Sequence, residues 1–214
     1  MNRTFGLIAA VAALVSAPAF ADDFATGLAA IQQEWAVANY QTTDKAARSA
    51  AFATLVEHAK AFREQHAAHA EAVAWEGIVL STYAGEVSAM SAMKYAKAAR
   101  EALERAERLD GTALAGGIYA SLGALYSKVP GGFIGFGDDK LADQYFHKAL
   151  AVDPNGIDNN YFYGEFLLDQ GDYAQARTVL EHALAAPAVT ERPVFDTGRR
   201  NEIRELLAVA QRKT

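Results

Sequence analysis

The sequence contains no cysteine, which excludes disulfides, thiolate metal sites, cysteine nucleophiles and a lipidated cysteine in one step. It also lacks the short motifs of several enzyme classes. There is no Gly-x-Ser-x-Gly elbow, no His-Glu-x-x-His pair and no Gly-Lys-Ser/Thr phosphate loop, so hydrolase, zinc-enzyme and nucleotide-binding readings find no support. Past the first 21 positions no run approaches the ~20 uncharged apolar residues that a membrane helix needs, and the chain beyond them is expected to be soluble. The β-branched residues rarely cluster, so propensity favours helix over strand. Nor is there a basic excess: the formal net charge is −6, and a surface of that sign repels nucleic acid.

What is present is apolar material, 51% of residues against 21% charged, enough for one globular domain with a sizeable core. Residues 1–21 combine a basic start at Arg3, an apolar stretch from Phe5 to Val15, and Ala19-Phe20-Ala21 ahead of Asp22 and Asp23. This is the layout of a secretory leader with cleavage after Ala21, and it predicts a periplasmic location. Loss of Arg3 takes the charge from −6 to −7.

From Asp23 onward apolar residues recur at helical spacing, broken by short turn signals. A first helix is expected from about Phe24 to Gln41, and Asp44 caps a second carrying Phe52, Leu55, Ala59 and Phe62, so residues 22–70 form an N-terminal hairpin. Three further pairs end alike, at Ala106 to Asp110, Ala149 to Pro154 and Ala183 to Pro187. Units of about 34 residues, with small residues where helices cross and proline at the exit, mark a helical-repeat array. The last unit fits best, with Gly164, Gly171-Asp172-Tyr173, Ala176, Leu180, Ala183 and Pro187 in place. Two earlier units carry extra residues, around Gly85 to Met93 and from Val129 to Gly137, which suggests a feature presented on one edge. Residues 188–214 read as a capping helix through Ile203, Leu206, Leu207 and Val209, its arginines solvated or paired with glutamate.

These residues resemble the tetratricopeptide superfamily over 71–187. The resemblance implies an all-α helical-hairpin solenoid of about four helix pairs plus the C-terminal cap. Within it, Lys128 to Asp139, Asp153 to Asp158 and Asn160 to Gly164 look like the periplasmic repeat proteins related to the T component of TRAP-type transporters. That narrower likeness implies an accessory to a periplasmic solute-binding protein, with association into trimers in some members. Those members are typically lipid-anchored, and the absence of cysteine departs from their pattern.

Two places stand out as candidate binding surfaces. The turn around Phe133, Ile134 and Phe136 is too apolar for an idle loop, and either plugs the fold locally or projects to a partner. Asp138 and Asp139 behind it cap the next helix, with acid/base or cation work as the alternative. The segment from Asn159 to Phe166 puts rings on nearly every side of one helix, so some must face away from the core. Asn160 and Tyr163 there, with Tyr119 and Tyr126 on the neighbouring helix, either line a groove or pack between helices. His66 and His69 lie three apart without a metal-site pattern, and no metal or cofactor is expected. The resulting expectation is a non-enzymatic scaffold for a protein or small solute in the periplasm. The competing one is a structural protein that self-associates through the 129–137 turn. An enzyme reading rests only on Asp138, Asp139 and Glu165.

Overall fold

The computed structural model describes residues 20–213; the leader read in residues 1–21 lies outside them but for its last two positions. Nine α-helices and one short 3₁₀ turn make up the described residues. They are α1 (Phe20–Tyr40), α2 (Lys45–Gln65), α3 (Ala70–Glu86), α4 (Ala89–Asp110), α5 (Gly117–Lys128), α6 (Asp139–Val152), α7 (Ile157–Asp169), α8 (Tyr173–Ala185) and α9 (Pro193–Lys213). This is the expected all-α, tetratricopeptide-like array: four antiparallel pairs, α1/α2 to α7/α8, followed by α9.

Local chemistry starts the second helix of three pairs in the same way. Asp44, Asp138 and Asp172 each accept from a first-turn amide, of Ala47 at 2.8 Å, Leu141 at 3.0 Å and Gln175 at 3.1 Å. Each satisfies an amide the helix leaves unpaired and places a carboxylate at its positive end. The pairs then close by one packing device. A Cβ added at Gly27, Gly77, Gly123 or Gly164 would lie 2.6–2.7 Å from Phe62, Leu103, Phe146 or Leu180 respectively. In every pair, therefore, a glycine of the first helix receives a large side chain of the second. The flanking alanines Ala99, Ala106, Ala142, Ala149, Ala176 and Ala183 are all fully buried, which lets neighbouring backbones approach closely.

The two irregular units differ from each other. Between α3 and α4 only Val87 and Ser88 are non-helical; the extra residues expected as a long turn around Gly85 to Met93 instead lengthen both helices. Gly85 is held inside α3, and the alanine, methionine and serine that open α4 are compatible with helix. Between α5 and α6 the long turn is real. It is pinned by Gly137 N to Pro130 O and Asp138 N to Tyr126 O, both 3.0 Å, and Gly132 sits at φ 69°, where a side chain would be strained.

The last helix does more than cap. Arg200 donates to the terminal carbonyls of α8 at Leu184 and Ala186, both 2.8 Å, and pairs with Asp196 at 2.9 Å. A cation at the negative end of a helix is favourable. The far side of α9 meets α1: Gly198 lies flat on the Tyr40 ring, whose hydroxyl donates to Glu202 at 2.9 Å. The array thus closes on itself, with α1, α3, α5, α7 and α9 facing one another across its centre.

A central cavity as the candidate functional site

Closure leaves a half-open cavity of about 390 Å³ lined from all five inward helices and the 3₁₀ turn (Ala113–Gly116). Trp35 comes from α1 and Trp75 from α3, their rings 6.3 Å apart edge to face. Tyr161 and Phe162 come from α7, and Phe195 and Arg199 from α9, with Arg192 just ahead of that helix. Ile78 and Leu114 extend the apolar wall, while Gln32, Asn39, Ser81 and Ser121 add polar edges. A volume of this size falls at the lower end of the roughly 300–1,000 Å³ of small-molecule sites.

Rings of α7 and α9 position a charged group that would otherwise be costly to bury. Arg199 is 4% exposed. Its guanidinium carbon lies 3.9 Å from the Tyr161 ring centroid and 5.0 Å from that of Phe162. Its Nη1 donates to Glu202 at 2.7 Å, and its Nε lies 2.8 Å from Asp158 Oδ1, too far off-axis for a hydrogen bond. Burial alone pulls the Arg199 pKa down, but Asp158, Tyr40 and Glu202 outweigh it and keep the group charged. Burial raises the pKa of the Glu202 carboxyl despite Arg199, and also those of the Tyr40 and Tyr161 hydroxyls.

Among the described residues, two further atoms of the wall have neither a hydrogen bond nor an ion pair. Trp75 is 6% exposed and its Nε1 donates to nothing, whereas Trp35 Nε1 is satisfied by Thr82 at 3.0 Å. Arg192 Nε is buried and unbonded, and its guanidinium is held only by the faces of Phe195 at 4.1 Å and Trp75 at 5.5 Å. Burial lowers the pKa of Arg192, leaving it a cation in a poorly solvated place.

The surface candidates named from sequence do not line this cavity. Tyr126 is sandwiched between Tyr145 at 5.7 Å and Phe136 at 5.6 Å, its hydroxyl on Glu104, while Tyr119 stacks over Tyr145 at 6.3 Å. Tyr163 packs between Phe146 and Phe166, with Gln175 on its hydroxyl. Asn160 is buried, donating to Pro154 and Gly156 carbonyls at 2.9 Å and so fastening the turn before α7. Asp138 is the cap described above and Asp139 occupies the exposed first turn of α6. The long turn divides: Phe136 tucks under Tyr126 and beneath the Arg100 guanidinium at 4.3 Å, while Phe133 and Ile134 stand fully out, at 112% and 75% exposure. His66 and His69 pack around Phe24, and the described residues hold no group of three or more His, Asp or Glu that would bind a metal.

Of the cavity residues, the rings on α7 were foreshadowed by its surplus of aromatics, of which Tyr161 and Phe162 are the pair turned inward. Arg192 was not singled out, because ahead of Pro193 it looks like part of a turn. Fold and site together define a helical-repeat scaffold with a ligand-sized hollow on its inner face. Residues 136–192, spanning α6 to α8, match the family model for the tetratricopeptide repeat, whose members as a class mediate protein interactions. No curated protein matches the chain.

Proposed function

We propose that the chain is an exported, non-enzymatic tetratricopeptide-type scaffold that takes up a small solute in its central cavity in the periplasm, as an accessory to a solute-binding protein or transporter. The observation that carries the solute reading is convergence. Five helices far apart in sequence supply an aromatic box and two cations to one hollow, an arrangement that core packing alone does not require. The leader-like residues 1–21 support export, and the likeness of 128–164 to T-component repeat proteins supports the accessory role. The test is to purify wild type and Ala124→Phe, which fills the cavity from α5, and identify small molecules released on denaturation. A compound carried by wild type and missing from the variant supports the reading; identical or empty profiles from both oppose it.

A second reading, self-association or partner contact through the long turn, is favoured by the exposure of Phe133 and Ile134, since adjacent solvent-facing apolar side chains favour being covered. Phe133→Ser with Ile134→Ser leaves the melting temperature unchanged and, under this reading, converts an oligomer to a monomer in sedimentation. A wild-type protein that is already monomeric at micromolar concentration removes it.

A further inference from the structure

Resting on the cavity reading above, we infer that the solute is a small organic monocarboxylate with an apolar body, its carboxylate seated on the Arg192 guanidinium. The assignment follows from what each charged group of the wall already has. Asp158 and Glu202 are both engaged by Arg199, at 2.8 and 2.7 Å, and Tyr40 adds a hydrogen bond to Glu202. Arg192 has none of this: among the described residues no carboxylate lies within ion-pair distance of it and its side chain makes no hydrogen bond, although the charge of Asp158 acts on it from further off. Beside it the Trp75 ring packs against the guanidinium at 5.5 Å from its centroid. A planar cation without an acceptor is complementary to one planar anion, and the fork of a guanidinium fits a carboxylate.

The rest of the wall limits the ligand further. Asp158, whose charge acts on Arg192, and Glu202 also line the cavity and repel a second negative charge, which selects a monoanion over a phosphate or dicarboxylate. The remaining surface, from Trp35, Ile78, Leu114 and Phe195, takes an apolar or aromatic body. Arg192 also borders a smaller hollow of about 270 Å³ that shares Leu114, Asp158 and Phe195 with the main cavity.

The protein reports on this site by itself, because its two tryptophans are Trp35 and Trp75 and both line the cavity. The experiment is a tryptophan-fluorescence titration of the chain lacking residues 1–21. The probes are 3-phenylpropionate and 4-methylpentanoate, each against its amide, with a tripeptide ending in phenylalanine as a further arm. The acids are expected to bind at least about tenfold more tightly than their amides, the scale of one charge-assisted hydrogen-bonded pair. Arg192→Gln abolishes that preference, and Arg192→Lys keeps part of it. Circular dichroism establishes that each variant is folded. Equal binding of acid and amide to wild type, or a preference that survives in Arg192→Gln, overturns the carboxylate assignment while leaving the cavity as a binding site. Tighter binding of the tripeptide than of either free acid overturns the small-molecule claim. Absence of binding by any probe up to about 10 mM, where even millimolar affinity is visible, overturns both.

Discussion

Ring closure depends on a contact that one methyl group disrupts. In Gly198→Ala the new Cβ overlaps Cγ, Cδ1 and Cδ2 of Tyr40, against the ring rather than its tip. The ring has little freedom to yield, because its hydroxyl is tied to Glu202 and its edge packs on Trp35 at 5.7 Å. Replacing glycine by alanine inside a helix ordinarily stabilises by about 1 kcal/mol. Here overpacking costs about 1–3 kcal/mol, and displacing Tyr40 forfeits a hydrogen bond to a carboxylate worth about 1–2 kcal/mol. The net expectation is destabilisation of about 1–4 kcal/mol, read as a lower denaturant midpoint in the tryptophan signal. Gly85→Ala is the control: nothing lies within 4 Å of its added Cβ, so the same substitution on α3 stabilises by up to about 1 kcal/mol. In a Tyr40→Ala background the Gly198→Ala penalty disappears, which a double-mutant cycle isolates. If Gly198→Ala is as stable as wild type in the native background, α1 and α9 do not pack as described.

Asn159 is 2% exposed and its Nδ2 lies within 3.0–3.2 Å of the carbonyls of Ala115, Ala149 and Asp153. Asn159→Ala leaves these buried acceptors unpaired beside Leu114 and Ala115, which hold φ of 57° and 50°, and should cost about 2–4 kcal/mol in chemical denaturation. Glu202 gives a pH signature. Burial raises its folded pKa above 4.5, so the native state holds this proton more tightly than the unfolded chain, and through this group stability rises as pH falls from neutral toward 4.5. Glu202→Gln removes that limb from the stability profile; an unchanged slope between pH 7 and 5 contradicts the burial.

Much of the architecture was legible because local chemistry writes it. The aspartate caps, the small residues Ala176 and Ala183, and Gly164 under Leu180 are all encoded within about one repeat of each other. The site was less legible, and the reason is distance. Tyr40 and Glu202 are 162 positions apart, and no helical period records that the first and last inward helices meet. The cavity takes a few side chains from each of five helices, so no short window carries it. Helix α7 shows the limit. Its periodicity demands that some rings leave the core, yet only the course of the closed array decides that Tyr163 and Phe166 go to the core while Tyr161 and Phe162 face the hollow. The extra residues before α4 misled for the opposite reason, since a surplus over the repeat length is satisfied equally by a longer turn or by longer helices.

Closure of the array, from which the cavity and its ligand chemistry follow, has a direct test that the cysteine-free sequence makes clean. A Cβ at position 198 lies against the root of the Tyr40 ring, which brings the two Cβ atoms slightly closer than the roughly 3.5–4.5 Å of a disulfide, a gap that opens once the ring is replaced by a thiol. The double variant Tyr40→Cys, Gly198→Cys is therefore predicted to form an intramolecular disulfide in mild oxidant. It would migrate as a faster monomer on a non-reducing gel and convert to the normal position on reduction. Thiols that remain free, or that link only separate chains, would contradict a closed ring.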